Sequence, residues 1–337
     1  MRVIQQKLGV GVAGLWLLAM LLLLSLGLWV VVVLVFHNRP ALLALAATAY
    51  VFGLRHALDA DHIAAIDGVT RRLLAAEKKR VSVGLIFSLG HSTVVVGLSL
   101  LLIVSVNRVS HSLSGLLQFG TVFGGVVSAS LLLALGGANF WGLYHSRRQR
   151  KERRDWENSK ASHDAQTGVS GGLLTPLLGP VLKLVDTNWK MFVVGFLFGL
   201  GFDTASEVVI LVISAGTASQ GMPFWYCLLF PLLFAAGMTL VDFLDNILIL
   251  SACNWALTTP RGARYYNAAM TLTTIVMAIG IGIVEIWGIL SPQIGSWVAI
   301  INSHFVFVGA GFVVITATVW LGSWLVYRLR AKAIPAS

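Results

Sequence analysis

Apolar residues run in long blocks along the chain, and polar residues fall in short clusters between and inside them. The first block follows Lys7 and continues to Phe36, which is longer than the core of a signal peptide. Others cover about residues 41–66, 83–104, 116–143, 191–212, 224–250 and 268–290, and a last one ends near Tyr327. Each is long enough to cross a bilayer as a helix of ~20 residues. The pattern predicts an all-α, polytopic integral membrane protein with about eight transmembrane helices, forming a single domain over residues 1–337. Residues 173–189 are apolar but broken by Pro176, Gly179 and Pro180, so they read as juxtamembrane or partly inserted.

Charge then orients the blocks. Lys and Arg cluster at Arg71, Arg72, Lys78, Lys79 and Arg80, in a loop at about 145–172 that opens with Arg147 to Arg154, at Arg261 and Arg264, and at Arg328, Arg330 and Lys332. With about eight crossings all of these fall on one side, whereas 213–221 and 291–303 carry no charge. The chain is therefore expected to be multi-pass in the cell inner (plasma) membrane, with both termini cytoplasmic. The net charge of +10 is read as orientation signal and contact with anionic headgroups, so the bilayer is a partner and nucleic acid is not. At 57% hydrophobic and 11% charged residues, the chain carries about half the charge of a soluble domain. Cys227 and Cys253 fall near opposite ends of one expected helix, ~39 Å apart, and do not pair within it.

The block at 41–66 holds the densest polar cluster, Arg55-His56-Ala57-Leu58-Asp59-Ala60-Asp61-His62. Each charge at the centre of a transmembrane helix costs ~2.5–3.5 kcal/mol, whereas a Leu or Val returns only ~0.3–0.6 kcal/mol. This face must look into protein, into a water-filled cavity or onto a bound cation. Nitrogen with carboxylate is the donor set of a divalent transition metal, so His56, Asp59, Asp61 and His62 are the expected metal ligands. At ~100° per residue His56, Asp59 and His62 share about a third of the helix circumference, while Asp61 points almost opposite. Either the helix loosens locally, for which Gly53 is the available position, or Asp61 serves a partner helix or supports the ligands from behind.

The other intramembrane polar residues extend this picture. His91 follows Gly90 and precedes Ser92 and Thr93; a lone buried His reads first as a satisfied helix contact, and the hydroxyls bond readily to their own backbone. Asp203 and Glu207 are spaced i,i+4, with Thr204 between them, and Asp242 and Asp245 i,i+3, so each pair of acids shares a face. Paired acids in an apolar setting repel; Arg55 can balance one of the four, and a cation is the natural partner for the rest. These residues are expected to line a path or to support the ligands around the same cavity. Glu285 lies one turn from the outer end of its block and reads as interfacial. Polar motifs on the second and third spans recur on the fifth and sixth, with Gly53-Leu54 matched by Gly199-Leu200, which suggests inverted structural repeats.

RHALDADHIAAIDG resembles the H-x4-D-H signature of the nickel/cobalt transporter family, the single-protein permeases for Ni2+ and Co2+. GHSTVV, GFDTASE and GMTLVDFLD are similar to that family's third-, fifth- and sixth-helix motifs, so four motifs in order cover most of the chain. The chain departs from the family pattern D-T-x-D-G at Phe243 and Asn246, and carries Gly68 where Asn is common. The resemblance implies a high-affinity permease that imports Ni2+, Co2+ or both as substrate, with no cofactor of its own. The absence of a G-x-x-x-x-G-K-[ST] loop removes the common ATP site, so nucleotide is not an expected partner. The chain is not expected to be an enzyme, since it has no H-E-x-x-H motif. Two alternatives stay open: a metal-binding accessory subunit of a multi-component importer, and a membrane-embedded metalloenzyme.

Overall fold

The computed structural model describes residues 12–75, 81–105, 113–158, 189–200, 205–258, 262–290, 304, 306–318 and 321. They form ten helices and, among the described residues, no strand: α1 (Val12–Phe36), α2 (Pro40–His56), α3 (Ala60–Ala75), α4 (Val83–Ser105), α5 (Leu113–Asn158), α6 (Lys190–Gly199), α7 (Ala205–Ser219), α8 (Phe224–Thr258), α9 (Gly262–Leu290) and α10 (Val306–Thr318). Helix is what an apolar block adopts in lipid, because every backbone polar group is then satisfied within the segment. Five helices are long and apolar enough to cross a membrane, and α2 with α3 makes a sixth span bent by 49°. Of three shorter apolar helices, 190–199 opens the expected fifth span, 209–219 runs from its end into the stretch expected as loop, and 306–318 falls in the expected last span. The protein is an all-helical membrane protein. Large apolar side chains such as Trp16, Leu23, Leu34, Val104 and Leu290 point outward, while His56, Asp61, His62, His91, Glu207 and Asp242 are buried.

Helices α3, α7 and α8 run past the expected ends of their blocks, to Ala75, Ser219 and Thr258, and α5 differs most. The basic stretch expected as loop from about residue 145 continues α5 as helix to Asn158. At 46 residues α5 is ~69 Å long, more than twice the ~30 Å hydrocarbon core. Residues 147–154 are almost all Arg, Lys, Glu and Gln, which propagate a helix well in water.

Helix α8 is the hub, packing against α1, α2, α3, α4, α7 and α9. Two crossings show how closely the backbones approach. Where α2 crosses α8, a Cβ placed on Gly53 would lie 2.0 Å from the Phe234 carbonyl oxygen, and one on Gly237 2.7 Å from that of Tyr50. Where α4 crosses α6, a Cβ on Gly195 would lie 1.9 Å from the Phe87 carbonyl oxygen, and one on Gly90 2.0 Å from that of Phe192. Only glycine fits at such approaches, which bring Cα–H groups onto facing carbonyls. Gly53 therefore holds a helix crossing; it is not where the helix loosens.

Candidate metal centre

The loosening falls at Ala57 to Asp59. The Leu58 and Asp59 amides donate to the Arg55 and His56 carbonyls, a tightened turn of i to i−3 type, and α3 restarts when the Ile63 amide donates to the Asp59 carbonyl. The break aims His56 from the end of α2 and His62 from the first turns of α3 at the same point. Helix α4 contributes His91, α7 contributes Glu207 from its first turn, and α8 contributes Asp242.

The three imidazoles form a near-equilateral group, with ring centroids 4.6 Å apart for His56–His62, 4.8 Å for His62–His91 and 5.0 Å for His56–His91. One nitrogen from each lies within 4.8 Å of the others. His91 Nε2 is 2.5 Å from Glu207 Oε1 and 3.1 Å from His56 Nε2, and His56 Nε2 is 3.3 Å from Glu207 Oε1. Adjacent donors on a transition-metal ion with ~2.1 Å bonds stand ~3.0–3.4 Å apart; the His56–His91 and His56–Glu207 separations match this, and His91 and Glu207, in a direct hydrogen bond at 2.5 Å, need to part slightly to admit an ion. All four residues are buried. The side chains of Phe87 and Phe234 pack against His62 and His56 as an apolar wall, at 5.0 and 5.4 Å.

Two carboxylates support the rings from behind. Asp59 Oδ2 lies 3.0 Å from His56 Nδ1, and Asp242 Oδ1 lies 3.3 Å from His62 Nδ1. A carboxylate on Nδ1 fixes the tautomer that leaves Nε2 as a ligand and raises its basicity. His62 Nε2, His91 Nδ1, Glu207 Oε2, Asp242 Oδ2 and Asp61 Oδ1 are buried and have no hydrogen-bond partner. Unsatisfied buried groups are uncommon, and five in one cluster fit a bound cation. Asp61 sits in the first turn of α3, where its carboxylate accepts from the His62 amide and its own, within electrostatic reach of Asp59 and His56.

The remaining expected residues divide. Ser92 is buried, and its Oγ has no partner. Thr93 is exposed and donates back to the Leu89 carbonyl at 2.8 Å, being two positions, or ~200°, round α4 from His91. Arg55 is likewise exposed, one position round α2 from His56, so it does not balance the buried acids. Asp203 and Thr204 lie outside the described residues. Glu285 is buried rather than interfacial. Asp245 is buried apart from the histidines, in a second polar group on α3, α8 and α9. There Arg71 Nε donates to the Asp67 carboxylate at 2.8 Å, as does the Thr274 hydroxyl, and Asn246 Nδ2 donates to Thr70 Oγ1 at 2.8 Å. Asp67 and Arg71 were not expected here, since Arg71 reads from sequence as loop. Their i,i+4 spacing was the signal that pairs them. The Gly68 departure gives room to Asn139 on α5, whose amide reaches the Gly68 carbonyl at 3.4 Å.

Comparison with known proteins gives the family of the chain. The NicO family model, described as high-affinity nickel-transport protein, matches residues 42–326. The high-affinity nickel transport protein of Cupriavidus necator is 38% identical over 321 residues, covering 93% of this chain and 91% of that one. The hydrogenase nickel incorporation protein HupN of Bradyrhizobium diazoefficiens is 42% identical over 303 residues, 87% of this chain and 78% of that one. The cobalt transport protein NhlF of Rhodococcus rhodochrous is 34% identical over 296 residues, 84% and 82% of the two chains. No solved structure matches the chain. A match over most of the length, together with a buried His and carboxylate cluster inside a membrane bundle, means that the chain belongs to the high-affinity nickel-transport protein family.

Proposed function

We propose that the protein is a secondary transporter that imports a divalent transition-metal cation, Ni2+, Co2+ or both, across the bacterial inner membrane, with both termini in the cytoplasm. The observation that carries this reading is the convergence of His56, His62, His91 and Glu207 on one buried point between helices. Imidazole nitrogen with carboxylate suits Ni2+ and Co2+, whereas Mg2+ prefers oxygen and water. The relatives' names cover both metals. The metal is cargo, and this reading needs neither a resident cofactor nor nucleotide.

In this reading the ion enters partly hydrated and exchanges water for the Nε2 atoms of His56, His62 and His91 and for Glu207. Asp59 and Asp242 hold the first two rings in orientation, and Asp61 adds negative charge at the start of α3. Ser92 belongs to the wall of the same cavity, Asp203 is expected from its sequence motif on the approach, and Asp245 stands in the second polar group beyond it. Thr93 and Arg55 take no part. His91 Nε2 and Glu207 Oε1 are hydrogen-bonded at 2.5 Å, and this contact opens when both become ligands. Ligating imidazole must be neutral and ligating carboxylate ionised, so the cation competes with protons for the site. The inside-negative potential then favours inward movement of two charges by ~4.6 kcal/mol per 100 mV.

The test is uptake by the purified full-length chain in liposomes with an inside-negative potential. Radiolabelled Ni2+ or Co2+ should accumulate without any other protein or ATP. Binding without accumulation points instead to an accessory subunit, and the absence of both binding and accumulation overturns the transport reading.

A further inference from the structure

Both α3 and α8 continue past the histidine cluster toward the side expected to be cytoplasmic. Asp67 lies five residues, ~7.5 Å, beyond His62, and Asp245 lies three residues, ~4.5 Å, beyond Asp242. The two helices are bridged at the upper level by His62 and Asp242 and at the lower by Thr70 and Asn246. Between these rungs sit two carboxylates with different surroundings. That of Asp67 is engaged by Arg71 and Thr274. That of Asp245 is 5% exposed, lies within electrostatic reach of Asp67, Asp242 and Arg71, and leaves Oδ2 without a hydrogen-bond partner. On the next residue of α8 the side-chain amide oxygen Oδ1 of Asn246, fully buried, also lacks a hydrogen-bond partner. A buried carboxylate and a buried amide oxygen, both open, are donors waiting for a cation.

We propose that Asp245, Asn246 and Asp67 form a second, all-oxygen cation station, through which a divalent metal ion leaves the histidine cluster toward the cytoplasm, and that Arg71 holds this station closed while it pairs with Asp67. The inference rests on the transport reading above and gives it an exit. Oxygen donors hold Ni2+ or Co2+ less tightly than imidazole does, which suits release. A guanidinium already on Asp67 competes with the cation for the same charge, so one ion is not trapped by two acids.

The test uses Mn2+, which accepts oxygen donors, on purified full-length protein whose histidine cluster is disabled by His62→Ala and His91→Ala. Bound Mn2+ is counted by electron paramagnetic resonance. The station should still bind Mn2+; Asp245→Asn should weaken that binding by about tenfold or more, and Arg71→Gln should strengthen it by a similar factor. No Mn2+ binding in either the histidine-disabled protein or its Arg71→Gln variant overturns the proposal, as does binding that neither substitution moves in the stated direction. Should Asp245→Asn fail to give a monodisperse protein, the Arg71→Gln arm decides alone. Failure of the unmodified chain to accumulate Ni2+ or Co2+ in liposomes instead removes the transport reading. Accumulation by the unmodified chain with no Mn2+ response removes only the second station.

Discussion

At the scale of the residue, the site is built so that each histidine presents one nitrogen to a shared point. Replacing His91 with Ala removes a donor and leaves Glu207 facing His56 alone, so Ni2+ affinity should fall by at least about tenfold in equilibrium binding. Asp59→Asn keeps the size of the side chain but weakens the grip on His56 Nδ1; loss of such a supporting carboxylate typically costs 10–100-fold in metal affinity. Thr93→Val, on the outer face of α4, should change neither binding nor uptake. Because ligating histidines must be neutral and ligating carboxylates ionised, Ni2+ affinity should decline as pH falls, measured by equilibrium binding over a pH series. An affinity indifferent to acid would argue against direct imidazole ligation. The site was partly legible in the sequence: the cost of charge in a lipid-spanning helix is enough to single out His56 and His62. Sequence places His91 among the residues lining the cavity and not among the ligands, because a lone histidine carries no spacing signal and its partners come from helices far away in sequence. Arg71 reads from sequence as a loop cation because orientation rules count Lys and Arg without regard to a carboxylate one turn earlier.

At the scale of the element, the apolar blocks located the helices, since block length and membrane thickness must agree. They did not locate the break in the α2–α3 span. Ala57, Leu58 and Asp59 include neither Gly nor Pro; the turn is spanned by the contact of His56 Nδ1 with Asp59 Oδ2 at 3.0 Å, and it brings His56 and His62 together. The glycines that do stand out in the sequence serve another purpose. A Cβ at Gly53 or Gly195 would press on a backbone carbonyl of the facing helix, which cannot rotate away as a side chain would. Gly53→Ala and Gly195→Ala should therefore each destabilise the detergent-solubilised protein by ~1–3 kcal/mol, the usual cost of overpacking, and displace Phe234 or Phe87 from its histidine. Gly97 and Gly216 meet nothing within 4 Å, so Ala there should be neutral or stabilise by up to ~1 kcal/mol through helix propensity. Thermal unfolding of the four variants distinguishes steric crossings from a general intolerance of Ala.

At the scale of the whole molecule, the two glycine crossings are copies of one another. Gly53 and Tyr50 on α2 correspond to Gly195 and Phe192 on α6, both 142 residues on, and Phe87 and Gly90 on α4 correspond to Phe234 and Gly237 on α8, both 147 residues on. The pairing expected from sequence, Gly53-Leu54 with Gly199-Leu200, is thus replaced by a register four residues shorter, found only from which glycine meets which carbonyl. Each crossing joins two helices into an arm. The α2–α8 arm carries His56 and Asp242, the α4–α6 arm carries His91, and the metal point lies between them. The arms meet along α4 and α8, where Ser88 and Thr239 share a hydrogen bond of 2.9 Å. If alternating access is a rocking of one arm against the other, as inverted repeats permit, this seam must shift during every transport cycle. In a chain with Cys227 and Cys253 replaced by Ser, Ser88→Cys and Thr239→Cys should form a disulfide under mild oxidation, their side-chain oxygens being already in contact. Oxidation should then arrest Ni2+ uptake in liposomes, reduction should restore it, and equilibrium Ni2+ binding should persist throughout. Each single substitution controls for loss of the hydrogen bond alone. Unimpaired uptake by the fully cross-linked protein would mean that the arms move as one body and that the ion passes by a local change at the Ala57–Asp59 break.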